Sequence, residues 1–514
     1  MSSKDAKVVG EALAAVLPQH DKPWYRVSYL LRLNLLLVIP LMSSAVAGYD
    51  GSMMNGLQAL PSWKRDFGNP KGHTLGAVNA AQSAGAILML PFVGWLSDGL
   101  GRKWTLLVGG VIVVIASVIQ ASSVNLGMFI FSRALVGIGA ITISQPAPML
   151  ISELAYPTHR GIYTALFWTN YYLGAIIAAW STYGLQKNSP DSHWAWRGPS
   201  ILQGGLPILQ LLFWWYLPES PRWLIAKGRH GEARSVLARH HTGGDEQHPL
   251  INLEMMEITQ AIEVDENAKE TKWSALAAPV NRKRILITVI IGFTSQWAGN
   301  SVVSYYMTLV LDTVGVTNPD TQTLINGLLQ LFNWGAAIAA AAMVDRFGRR
   351  TLFNWSGIGM CVSFIIWTAC SARFAITGGS GLGSAVIAFI FIYFFHYDIA
   401  YTPLVIAYPT EILPYHIRSK GLSLNFFVIY CSLVLLSFVT PIALEAIQWR
   451  YYIVFCCTLF VSVILNWFLL PETKGRSLEE INDLFEDSHI RAAAEEKLEL
   501  GGVERVEVVD NRKK

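Results

Sequence analysis

The chain has 514 residues, of which 52% are apolar and only 15% charged; a soluble globular chain carries about 25% charged residues. With a mean hydropathy of +0.37, this excludes a disordered chain and argues against a soluble enzyme of several domains. The net charge of +3 is too weak to point to nucleic acid.

Residues 1–32 are polar, with Lys4, Lys7, Lys22, Arg26 and Arg32, and form a cytoplasmic N-terminal segment. The apolar run after them ends in Gly48-Tyr49-Asp50, not in a small-residue cleavage site, so it reads as a retained first span. A bilayer-crossing helix needs about 20 mostly apolar residues. Twelve runs qualify: 33–52, 74–97, 104–123, 126–152, 161–184, 200–217, 284–312, 322–344, 351–373, 382–410, 420–444 and 449–470. The expected fold is an all-α membrane protein of twelve transmembrane helices. Its parts are a six-helix half over 33–217, a cytoplasmic helical linker over 218–283, a second six-helix half over 284–470 and a cytoplasmic tail over 471–514. In the linker, Leu253, Met256, Ile258, Ala261 and Ile262 partly follow a helical stripe. The five cysteines all lie in apolar runs without metal-ligand spacing, so no metal site is expected.

Orientation follows from Lys and Arg in the loops. With both termini inside, the cytoplasmic loops collect Arg102, Lys103, Arg160, Arg346, Arg349, Arg350, Arg418, Lys420 and the basic residues of the long linker. Without the linker the two sides are nearly balanced, so the orientation also leans on the motifs that follow.

Short charged strings recur about half a chain apart. Asp98-Gly99-Leu100-Gly101-Arg102-Lys103 returns as Asp345-Arg346-Phe347-Gly348-Arg349-Arg350. Glu153 with Arg160 returns as Glu411 with Arg418, and Pro218-Glu219-Ser220-Pro221-Arg222 returns as Pro471-Glu472-Thr473-Lys474-Gly475-Arg476. Three pairs in the same order imply two halves related as a parallel repeat. Each string sits where a span meets the cytoplasm. Asp98, Arg102, Glu153, Arg160, Glu219, Arg222, Asp345, Arg349, Glu411, Arg418 and Glu472 are therefore candidates for a bistable gate, or for holding the loops in register.

These motifs, together with Pro-Glu-Ser-Pro-Arg-Trp-Leu at 218–224 and Pro-Glu-Thr-Lys-Gly-Arg-Ser-Leu-Glu-Glu at 471–480, resemble those of the sugar porter family of the major facilitator superfamily. Ser295-Gln296-Trp297-Ala298-Gly299-Asn300 with Tyr305-Tyr306, Thr402-Pro403-Leu404-Val405-Ile406-Ala407-Tyr408-Pro409-Thr410-Glu411, and Pro441-Ile442-Ala443-Leu444 with Trp449-Arg450-Tyr451-Tyr452 are most similar to the fungal lactose permease and cellodextrin transporter branch.

Ionisable residues inside a span are costly and mark functional candidates. Asp50 in the first span and Arg133 in the fourth are natural neutralising partners. The resemblance implies that they form the proton-coupling site; a buried pair that only staples two helices is the competing reading. His396 and Asp398 in span ten lie two residues apart and do not share a helix face, so at most one would face the cavity.

A sugar site needs amides, hydroxyls and aromatics converging near the midplane. Gln296, Asn300, Tyr305 and Tyr306 in span seven, Asn333 in span eight and Asn425 in span eleven suit this, with core packing as the rival role. By family position Gln296 and Asn333 stand out. The family pattern is broken at Trp168, where many hexose porters carry glutamine, with Asn170 two residues on. It is broken again at Ile406, where many carry tryptophan and where the nearest aromatic is Tyr401, and at Ser295. The resemblance implies a proton-coupled sugar carrier, not an enzyme. It would need no cofactor beyond the proton gradient, take a small sugar as its partner in the lipid bilayer, bind no nucleic acid, work as a monomer and reside in the plasma membrane. A same-fold carrier of a polyol, sugar acid or exported metabolite, or a non-transporting sugar sensor, are the alternatives.

Overall fold

The computed structural model describes residues 15–18, 22–269, 273–474 and 485. Among the described residues there are helices and no strands. The first group is α1 (Ser28–Ala59), α2 (Gly72–Leu100), α3 (Arg102–Ala121), α4 (Leu126–Leu154), α5 (Arg160–Asn188), α6 (Trp194–Leu202) and α7 (Gly205–Phe213). Three linker helices follow: α8 (Pro221–Ala226), α9 (His230–Leu237) and α10 (Pro249–Lys269). The last group is α11 (Pro279–Trp297), α12 (Asn300–Thr313), α13 (Pro319–Phe347), α14 (Arg349–Thr377), α15 (Ser380–Ile412), α16 (Tyr415–Ile447) and α17 (Tyr452–Leu469).

Among the described residues, eight stretches are long and apolar enough to cross a membrane. They are α1, α2, α3 and α4, then Pro279–Thr313, α14, most of α15, and Lys420–Leu469, which takes in both α16 and α17. Two expected runs fall short: Trp168, Thr169, Asn170, Tyr171 and Tyr172 lower the hydropathy of α5, and the sixth run breaks between α6 and α7. Several side chains in the last turns of α13 lie outside the described residues.

The outer surface is apolar, as the bilayer requires: Leu88, Phe92, Trp95, Leu212, Trp215 and Phe468 are all exposed. Inside each group the helices pack closely. A Cβ at Gly174 of α5 would stand 1.8 Å from the Ala45 carbonyl oxygen of α1, and one at Gly137 of α4 would stand 1.9 Å from that of Gln82 in α2. Only glycine lets these backbones approach so closely. Between the groups, α2 lies on α16, α5 on α13 and α1 on α12. The three linker helices build a small core of their own from Leu224, Ile225, Leu237, Ile251 and Met255.

Candidate functional site

The close α2–α4 and α1–α5 contacts bring Asp50 and Arg133 together. Both side chains are 0% exposed, and Arg133 Nη1 donates to Asp50 Oδ1. Gln203, at the break between α6 and α7, donates to the same oxygen at 2.7 Å, and Arg133 Nη2 reaches Gln82 Oε1 at 3.4 Å. The sequence reading found the pair and missed both glutamines, although an amide inside an apolar run was the available signal. Tyr171 lies alongside: its hydroxyl oxygen would be 2.8 Å from a Cβ at Gly51.

The seventh expected span is broken. α11 ends at Trp297, Gly299 takes φ +99°, and α12 begins at Asn300. The freed carbonyls find partners: Tyr393 donates to Ala298 O at 2.9 Å and Thr458 to Trp297 O at 2.8 Å. Such a break, with polar residues on both sides, is how carriers build cargo sites at the midplane. Gln296 stands half-buried in the last turn before it, its Nε2 3.3 Å from Ser295 Oγ. Asn300 opens the next helix, donates to Tyr397 Oη at 3.1 Å and keeps its own Oδ1 unpartnered. Asn333 on α13 is buried with its Oδ1 unpartnered, and Tyr305 is half-buried.

Other expected cargo residues are engaged between helices. Asn170 donates to Leu41 O of α1 at 3.3 Å, Asn425 to Val405 O of α15 at 3.1 Å, and Tyr306 to Ser437 O of α16. Tyr401 accepts from Asn466 at 3.3 Å and stacks on Tyr397 at 5.6 Å between ring centres. Trp168 is half-buried and packs edge-on against Phe167. His396 is half-buried on the outer side of α15, its ring against Gly359 of α14 and its Nδ1 2.8 Å from Ile392 O. Asp398, on the other side of the same helix, is wholly buried and accepts from Tyr172 of α5.

At the end of α1 farthest from the linker, polar side chains tie the two groups together. Asn55 donates to Val303 O at 3.0 Å and Ser304 O at 2.6 Å, Gln58 donates to Tyr305 O at 2.9 Å, and Asn326 donates to Ser52 Oγ at 3.3 Å. Beyond this seal lies a cavity of about 550 Å³ lined by Trp63, Lys64, Asp312 and Glu445.

On the linker face the charged strings form two matching clusters. Glu219 accepts from the backbone N–H of Arg102 at 3.0 Å and of Lys103 at 3.2 Å; Glu472 accepts from those of Arg349 at 2.9 Å and Arg350 at 3.1 Å. Each glutamate thus caps the N-terminus of a long helix. Burial pushes the Glu219 carboxyl up from the ordinary range, against the pull of the N–H groups of Ser220, Lys103 and Arg102. Arg102 Nε lies 3.6 Å from Glu153 and donates from Nη1 to Asp98 at 3.2 Å, and Arg349 pairs with Glu411 at 3.1 Å. Glu153 also accepts from Ser220, and Glu411 from Thr473. Arg222 is within electrostatic reach of Glu153, Arg418 donates to Leu413 O at 3.2 Å, and Arg160 is exposed at the start of α5. The side chain of Asp345 lies outside the described residues.

Residues 36–485 match the family model described as "Sugar (and other) transporter". The low-affinity glucose transporter HXT1 of Saccharomyces cerevisiae is 28% identical over 461 residues, covering 86% of this chain and 79% of that protein. The MFS-type transporter oryC of Aspergillus oryzae is 30% identical over 455 residues, covering 85% and 82%. The inward-open xylose transporter XylE of E. coli superposes with a TM-score of 0.74 at 22% identity, over 88% of this chain and 100% of that one. XylE described as a proton:xylose symporter, bound to 6-bromo-6-deoxy-D-glucose, gives 0.72 at 22% identity, over 90% and 100%. The chain belongs to the sugar transporter family of the major facilitator superfamily, a family of membrane carriers and not of enzymes.

Proposed function

We propose that the protein is a proton-coupled sugar importer working by alternating access, with twelve spans, both termini in the cytoplasm and the plasma membrane as its residence. The observation that carries this reading is the buried trio of Asp50, Arg133 and Gln203. A facilitator has no need of an ionisable acid there. Deprotonated Asp50 pairs with Arg133; an outside proton neutralises it and weakens the pair. The helices then close around bound sugar, and release of the proton to the cytoplasm resets the pair. One charge moved through 100 mV is worth about 2.3 kcal/mol, or roughly 50-fold accumulation. The sugar would lie against Gln296, Asn300, Tyr305 and Asn333, with Trp168 as an aromatic wall. The relatives described as glucose transporters and as a proton:xylose symporter support both parts of the reading. The seal made by Asn55 and Gln58 corresponds to a state closed to the outside.

The test is external alkalinisation in a yeast strain lacking its own sugar carriers, with lactose, cellobiose, glucose, xylose and a polyol added in turn. A pH jump with one sugar, lost in Asp50→Asn, supports symport and names the cargo class. Uptake without a pH jump, unchanged in Asp50→Asn, makes the protein a facilitator. Silence with every sugar, from protein at the cell surface, favours a carrier of another polar solute, shaped by Trp168 and its aromatic neighbours.

A further inference from the structure

Asp398 is wholly buried within α15. Its Oδ1 accepts from Tyr172 Oη of α5 at 2.5 Å and from Thr402 Oγ1, one turn along its own helix, at 2.6 Å. Its Oδ2 is buried and has no partner. Among the described residues no Lys, Arg or His pairs with it. The titratable groups within its electrostatic reach are all phenols: Tyr172 from α5, and Tyr393 and Tyr397 from α15. Helices α11, α12, α13, α14 and α16 also pack against α15. They bring no charged side chain to this carboxyl among the described residues.

The contrast with Asp50 decides what this group can do. A charge near the centre of a span costs about 2.5–3.5 kcal/mol on insertion scales. Arg133 offsets that cost for Asp50 with a full positive charge; two hydroxyl donors are all that Asp398 has. A carboxylate so placed has far less to offset the cost of its charge than Asp50 has. The unpartnered Oδ2 is free to carry the proton without displacing either donor.

The position of the donor gives the proton a mechanical consequence. Tyr172 and Asp398 sit on helices of the first and last groups, so their bond ties the two groups together. A phenol donates far more strongly to a carboxylate than to a neutral acid. Separation of α5 from α15 removes that donor and favours the neutral form. By linkage, a proton at Asp398 favours the separated arrangement, and its departure favours the joined one seen here.

We propose that Asp398 is a second proton-binding carboxyl, distinct from Asp50, and that proton uptake there loosens the Tyr172 tie between α5 and α15. The proton is exchanged with water when α5 and α15 separate; no other bond forms or breaks. The idea takes the relative movement of α5 and α15 from the carrier reading, but the proton itself is detectable without any cargo.

The experiment is infrared difference spectroscopy on the full-length protein in lipid nanodiscs, alternating acid and alkaline buffer with no sugar present. A protonated-carboxyl band should appear on acidification, vanish in Asp398→Asn and persist in Asp50→Asn. Tyrosine ring modes should change with the same midpoint, and Tyr172→Phe should abolish that change. Tyr172→Phe should also move the carboxyl midpoint to higher pH by about one unit, a roughly tenfold change in proton affinity, as loss of a hydrogen bond to a charged group implies. Thr402→Val should move it the same way, which keeps the test available if Asp398→Asn fails to fold. A spectrum with no Asp398-dependent band overturns the proposal. A band indifferent to Tyr172→Phe overturns the tie. Failure of sugar-driven alkalinisation would count against the symport reading and leave this band untouched, so the two failures are distinguishable.

Discussion

Arg133 and Asp50 share a charge pair from which water is excluded, and Gln203 donates to the same carboxylate oxygen that Arg133 engages. Removing one partner of such a pair leaves an uncompensated buried charge, at a cost of about 3–5 kcal/mol. Asp50→Ala and Arg133→Ala should each lower the thermal midpoint of the purified protein severely. Asp50→Asn combined with Arg133→Gln, which removes both charges and keeps the shapes, should recover most of that loss. If the double variant melts no higher than either alanine variant, balancing the charges gains nothing and the pair's role as a charge-balanced switch fails.

Glu219 and Glu472 do the same job half a chain apart, each accepting the first backbone N–H groups of a long helix. Losing such a cap costs about 1–2 kcal/mol. Glu219→Ala and Glu472→Ala should each destabilise by that amount. Because the two clusters share no side chain, the double variant should add within about 0.5 kcal/mol. Unfolding midpoints of the four proteins decide this; strong non-additivity would mean that the clusters communicate in the folded state.

What the sequence made legible, and what it hid, divides along a physical line. Hydropathy and charged strings are local, so the apolar runs, the repeat and the Asp50–Arg133 pair could be read directly. The i, i+2 spacing of His396 and Asp398 also separated their faces, and they do point to opposite sides of α15. Helix rotation is not local. Asn170, Asn425 and Tyr306 looked like cargo ligands because of their chemistry, yet they hydrogen-bond the carbonyls of neighbouring helices. The link between Tyr172 and Asp398 depends on how α5 meets α15, which no spacing encodes. The charged strings were expected to form a gate or to hold the loops in register, but spacing did not say which groups they would meet; Glu219 and Glu472 take backbone N–H groups, because Gly101 and Gly348 start the next helix beside them at φ +101° and +88°.

Two glycines on one helix should behave in opposite ways. At Gly174 a methyl group would collide with the Ala45 carbonyl of α1, whereas at Gly184 nothing lies within 4 Å. Gly174→Ala should force α1 and α5 apart, lowering both the yield of folded protein and the uptake. Gly184→Ala should be neutral or stabilise by up to about 1 kcal/mol through helix propensity. Fluorescence-detected size exclusion of the two variants separates these outcomes, and similar profiles would refute the close approach at Gly174.

Asp66 gives the acid side of the stability profile. Burial alone would raise its carboxyl, but hydrogen bonds from His193 at 2.5 Å and Trp196 at 2.8 Å outweigh it, and the group lies below the ordinary carboxylate range. A carboxyl lowered by folding contributes stability that is fully present above its unfolded value and is lost as pH falls through the folded one. These bonds join the short helix Pro61–Asp66 to α6, and Phe67 packs on Trp196 at 5.0 Å. Asp66→Asn should therefore melt earlier at neutral pH by the equivalent of about 1 kcal/mol, since the site is partly screened by solvent. The gap to the parent should shrink as the pH drops below the ordinary carboxylate range. A gap that stays constant into strong acid would mean that the asparagine disturbs packing, and that the charge of Asp66 adds nothing to the hold on Trp196.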